Sequence, residues 1–163
     1  MNYSPLHWLA YWNDFKSIEY LLGLFITNEE TQLQMKHIIS FNYQNETPVD
    51  VAGIMESKQS LQVFLNFFKN NFKLIKEKVF NVKAEFRAND LNAQQLLLLK
   101  VKANDLTNIQ KAYCTLYYWA AYAENKELVN KFLVELGVSP YIKMFNEQNV
   151  ISAAIKSKNF DIL

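Results

Sequence analysis

The chain has 163 residues, half of them apolar and a fifth charged, with 17 basic residues against 16 acidic ones. That size suits one domain with a real core, and the balance excludes both a disordered chain and a whole-molecule attraction to nucleic acid or anionic lipid. Three glycines and three prolines, where average usage is about 7% and 5%, leave too little turn chemistry for a sandwich or barrel and favour an all-α fold.

In chain order, Ser4-Pro5 combines an N-cap hydroxyl with a residue whose missing N–H is harmless at the first helical position, so a helix opens there. Leu6-His7-Trp8-Leu9-Ala10 continues it, and a second helix follows with Ile18, Leu21 and Leu22 on one stripe. Thr27 and Glu30 have capping-box spacing, which predicts an extra helix from about Asn28 to Ile39. At Thr47-Pro48 the opening recurs, and Leu61, Phe64, Leu65 and Phe68 repeat the apolar spacing of the second helix.

The segment 72–106 has apolar runs that read as irregular helices without a recognisable opening. Beyond it two readings compete: a third opening at Thr115, or one continuous helix capped at Thr107 and running through Ala123, with Thr115 in its interior. Val129, Phe132 and Leu133 then supply a further apolar stripe, and Gly137-Val138-Ser139-Pro140 a closing turn. Asn149-Val150-Ile151-Ser152-Ala153-Ala154 starts a fourth copy that runs to Leu163. The copies lie near 4–41, 47–71, 115–145 and 149–163. Small Ala10, Ala52 and Ala121 let antiparallel helices approach closely, and a single helix pair cannot bury both its faces, so a linear stack with one continuous core is expected over 1–163.

These residues resemble the ankyrin repeat, a unit of about 33 residues opened by T-P-L-H and closed by a G-A-D-type turn. Ser4 to Leu22 is the most specific match; Thr47 to Leu65 follows it with Asp50 at the histidine slot, and Asn13 and Glu56 stand where the family usually has glycine. The resemblance implies a stacked helix-turn-helix solenoid with helical insertions. It also implies that the residues after the paired small positions of each first helix, together with the loop tips, form a concave binding face. In this chain those positions hold Tyr11 and Trp12, Ile54 and Met55, and Tyr122, with Tyr43 at a loop. Exposed aromatic and Met side chains are hot-spot material; the competing reading is that the chain's own insertions cover them as core.

Catalytic chemistry finds little support. His7 reads as the repeat's bridge between the cap hydroxyl and the neighbouring loop backbone, and His37 has no ligand or base partner at useful spacing. Cys114 is the single cysteine, so no internal disulfide forms, and its aromatic neighbours suit an inert buried thiol. No phosphate-cradling, zinc or redox motif occurs. Lys69, Lys73, Lys76, Lys78 and Lys83 read as a solvated face because no arginine fork accompanies them.

No signal-peptide pattern and no 18-residue apolar stretch is present; the longest near-apolar run, Ala112 to Ala123, is too short to span a bilayer. The expectation is an intracellular, cytoplasmic, non-enzymatic protein–protein interaction module without metal, cofactor, nucleic acid or small-molecule substrate, and part of a longer chain or assembly. The alternative is the soluble cytoplasmic ankyrin segment of a larger membrane protein such as a cation channel.

Overall fold

A hydroxyl residue followed by proline sets where the first two helix pairs begin. The computed structural model describes residues 3–27, 38, 42, 44, 46–74, 108–135 (side chains from 115 to 134) and 149–158, all helices, turns and loops with no strand among them. It divides into two compact units, Met1–Val79 and Phe80–Leu163.

In the N-terminal unit α1 spans Pro5–Tyr11, α2 Phe15–Ile26, α3 Pro48–Ile54 and α4 Lys58–Asn70. Ser4 and Thr47 sit in extended backbone as N-caps, each closing a capping box with the third helical residue, and proline takes the first helical position in both. Each first helix packs on its own second helix, and across the pairs α1 packs on α3 and α2 on α4. Ile18 and Leu22 from α2 and Leu61, Phe64, Leu65 and Phe68 from α4 are buried, whereas Leu21 is half-buried. Burying a side chain such as Phe64 stabilises the fold by about 2–3 kcal/mol relative to leaving it exposed. Ala10 and Ala52 have no accessible surface, as close helix approach requires.

The turn inside each pair has a fixed geometry. Asn13 N–H donates to Ala10 O (3.2 Å) and Asp14 N–H to Leu9 O (2.8 Å); Glu56 N–H donates to Gly53 O (3.2 Å) and Ser57 N–H to Ala52 O (2.9 Å). These are the two bonds of a Schellman motif, whose pivotal residue adopts the left-handed region. Asn13 and Glu56 do so at φ 55° and 56°. Glycine would enter this region without a Cβ penalty, and of the two residues present Asn is the less strained because it enters the region more readily than Glu.

In the C-terminal unit α5 spans Asn108–Tyr122, α6 spans Lys126–Asn130 and continues as a π-turn over Lys131–Glu135, and α7 spans Val150–Ser157; α5 packs on both α6 and α7. Of the two sequence readings, the continuous helix is the one observed. Thr115 is buried inside α5 and opens nothing, because Leu116 follows it instead of a proline and leaves the helix with no reason to stop. The turn after α5 nevertheless repeats the earlier motif. Glu124 N–H donates to Ala121 O (3.2 Å), Asn125 N–H to Ala120 O (2.9 Å), and Glu124 has φ 61°.

Asn149 opens α7 without proline: its side chain accepts from Ser152 N–H (2.9 Å), and Ser152 Oγ accepts from Asn149 N–H (2.8 Å). Lys158 ends it at φ 64°. Asn13, Glu56, Glu124 and Lys158 are the non-glycine residues at positive φ among those described, and each stands nine residues after Ser4, Thr47, Thr115 and Asn149 respectively. Val129 and Phe132 are buried as expected, but Leu133 is exposed. The wider i→i+5 turn advances less per residue than an α-helix and carries Leu133 off the stripe that Leu22 and Leu65 follow.

Apart from Ile38, which is buried, the expected helix over 28–39 lies outside the described residues, as do most of the segment 72–106, the cap at Thr107, the turn Gly137 to Pro140 and the end after Lys158. Tyr43, His37, Lys76, Lys78 and Lys83 lie there too, as does the Cys114 side chain.

Candidate functional site

His7 joins the cap of α1 to the backbone ahead of α3. Ser4 N–H donates to its Nδ1 (3.1 Å), Ser4 Oγ lies 2.7 Å from the same nitrogen, and His7 N–H donates to Ser4 Oγ (3.4 Å). Because Nδ1 receives an N–H, the proton of the neutral ring is on Nε2, which donates to the carbonyl of Glu46 (2.9 Å). A serine oxygen at this distance from an imidazole is also the spacing of a nucleophile and its base. Here, however, the ring is fully buried and its second nitrogen holds backbone ahead of the next helix pair. The arrangement is a cap extended into a bridge between pairs.

Asp50 fills the same slot in the second pair and closes a capping box with Thr47. Its Oδ2 accepts from Thr47 N–H (2.9 Å) and from Thr47 Oγ–H (3.1 Å), while Asp50 N–H donates to Thr47 Oγ (3.2 Å). A carboxylate in a first turn also suits the positive end of the helix dipole.

Sequence reasoning missed a second bridge, at Asn13. Its Oδ1 accepts from Ser60 N–H (3.1 Å) and Ser60 Oγ–H (2.9 Å), and its Nδ2 donates to Gln59 Oε1 (2.8 Å). Ser60 N–H is an orphan donor of the first turn of α4, and the N-cap residue Ser57 makes no side-chain cap bond. Asn13 therefore caps a helix that starts 45 residues further along the chain.

The positions named for partner binding are open to solvent where they are described. Trp12 is 68% exposed, Ile54 53%, Met55 43% and Tyr11 39%. Tyr11 and Ile54 hold equivalent places on the packed helices α1 and α3, and Trp12 and Met55 are the C-caps that follow them. Behind Trp12 the rings are ordered: Trp8 stacks on it at 5.1 Å with 24° between planes, Tyr3 lies 4.7 Å from Trp8, and Tyr11 stands edge-on to Trp12 at 6.1 Å. The Tyr3 phenol is held protonated above its usual range, first by burial and then by the negative charge of Glu46 and by Tyr11.

In the C-terminal unit Tyr122 is half-exposed, 5.2 Å from Trp119 and 6.5 Å from Tyr118. Tyr117 is buried against Phe132, with ring planes only 9° apart at 5.2 Å, and burial pushes its phenol up to about 12.

Among the described residues no group of three or more His, Cys, Asp or Glu is placed to hold a metal ion, and no helix is long and apolar enough to cross a membrane. Lys73 is exposed, and Lys69 is half-buried with a partner of its own. No protein-family model, curated protein or solved structure matches the chain.

Proposed function

We propose that the chain is a non-enzymatic protein–protein interaction module, an ankyrin-like array of helix pairs working in the cytoplasm, whose contact surface in the N-terminal unit is formed by Tyr11, Trp12, Ile54 and Met55. The observation that carries this reading is the exposure of Trp12 in register with Met55 on the neighbouring pair. A large indole left in water forgoes about 2–3 kcal/mol of burial, and rigid aromatic groups recover that energy on association at small entropic cost. The pairwise stacking of α1 on α3 and α2 on α4, the nine-residue spacing and the His7 bridge support the repeat reading.

The test pairs stability with capture. Trp12→Ala should shift stability by less than about 0.5 kcal/mol, as exposed truncations do. The same variant should recover its partner from cells of the source at least about tenfold less well than the parent in quantitative affinity capture, as loss of a central anchor predicts. Tyr20→Ala, at an exposed ring of α2 outside the proposed surface, should match the parent. Equal capture by the parent and Trp12→Ala rejects this surface.

A further inference from the structure

The aromatic group on α1 is not a uniform greasy patch. Tyr3 ahead of the cap of α1, Trp8 within the helix and Trp12 at its C-cap follow one another, each ring within about 5 Å of the next, and the most exposed indole stands at the end. The faces of such rings carry negative potential, strongest for indole. No Lys or Arg occurs before Lys16, and at the Tyr3 end of the ladder lies Glu46, whose backbone carbonyl is held by His7 beside Tyr3 and whose negative charge is felt at the Tyr3 phenol. One Glu46 oxygen accepts from Asn42 Nδ2–H (3.1 Å), and the other accepts nothing from the described residues.

We infer that this ladder receives an arginine-bearing extended segment of a protein partner, with a guanidinium laid on the open indole of Trp12 and a second cationic group directed toward Glu46. The inference rests on the interaction reading above and adds a chemical class to it. Arginine suits the site better than lysine because its plane stacks on an indole while its edge still donates to a carboxylate. The chain as a whole has a formal net charge of only +1, so no general field draws polycations to it, and selectivity for them has to arise at a local site.

The experiment uses the full chain and three synthetic peptides, with tryptophan fluorescence as the readout. One peptide alternates Gly with Arg, the second replaces each Arg by uncharged citrulline of the same shape, and the third carries Glu. The expected result is saturable binding of the arginine peptide at least fivefold tighter than the citrulline peptide, with no binding of the acidic one. Trp12→Ala and Glu46→Gln should each weaken the arginine peptide by at least fivefold while the melting temperature holds. Equal affinity for arginine and citrulline peptides overturns the inference, as does an unchanged affinity in Glu46→Gln, or tighter binding of a thymidine homopolymer to the same rings. If the peptides fail while partner capture still depends on Trp12, the cation is wrong and the interaction surface stands. If neither depends on Trp12, both fall.

Discussion

The two compact units reverse the chain by one device but start their helices by different ones. At Ser4 and Thr47 the hydroxyl is followed by proline and the helix begins there; at Thr115 it is followed by leucine and α5 runs back to Asn108. Asn149 also lacks a following proline, yet it starts α7, through reciprocal hydrogen bonds with Ser152. A hydroxyl at the cap position therefore marks a start only when the ring of a proline or a closed capping box removes the helical alternative. The reversal needs no such help, since a left-handed residue nine positions on is present in every copy whatever precedes it.

The largest way to break this comparison is to give Thr115 the proline it lacks. Leu116→Pro removes a backbone bond inside α5 and should cost about 3 kcal/mol or more, seen as a large drop in denaturant midpoint. A variant of parental stability would mean that a helix can open at Thr115 after all.

Next in size is an alkaline effect centred on Tyr117, which holds the place that Leu6 and Val49 hold in the other unit. Its phenol is raised to about 12 in the fold, so the native state keeps a proton that the unfolded chain releases near 10. The stabilisation is complete below pH 10 and is lost as pH rises toward 12, by roughly 2 kcal/mol. Tyr117→Phe should flatten that part of the stability profile, and a profile identical to the parent would remove Tyr117 as its source.

His7→Ala deletes a cap and a bridge and should cost about 1–2 kcal/mol, measured by urea unfolding. The smallest and sharpest test concerns sign. Glu56→Gly relieves a left-handed glutamate and should stabilise by about 0.5–1 kcal/mol, whereas Asn13→Gly relieves less and loses the bonds to Ser60 and Gln59, so it should destabilise by about 1 kcal/mol. Shifts in the same direction would show that Asn13 is only a turn residue.

Much of this was legible from local signals. Ser4-Pro5 and Thr47-Pro48 announced α1 and α3, apolar spacing placed Ile18, Leu61 and Phe64 in the core, and the glycine slot pointed to Asn13 and Glu56. The readings that failed or stayed open depended on competition between structures. At Thr115 two helices were compatible with the same residues, and the π-turn that exposes Leu133 has no sequence mark. Nothing local links Asn13 to Ser60, since their contact exists only once α4 lies beside the first pair. Exposure of Trp12 was likewise undecidable from spacing, because an aromatic at that position serves equally as core or as surface.

The cap that Asn13 gives α4 has a consequence for how much the chain can vary. The second pair is held on the first by the packing of α1 on α3 and α2 on α4, by the bond from His7 to the Glu46 carbonyl, and by the bonds from Asn13 to Ser60 and Gln59. Ser4 and Thr47 stand 43 residues apart in the sequence, and loop closure penalises added length in the connection between their helix pairs only weakly. Ile38 and Asn42 within the connection are buried, Asn42 Oδ1 accepts from Gln44 N–H (2.9 Å) and Glu46 N–H (3.0 Å), and Glu46 takes the His7 bond, so an insertion that leaves these residues in place should keep one pair docked on the next while carrying an epitope or a fluorophore.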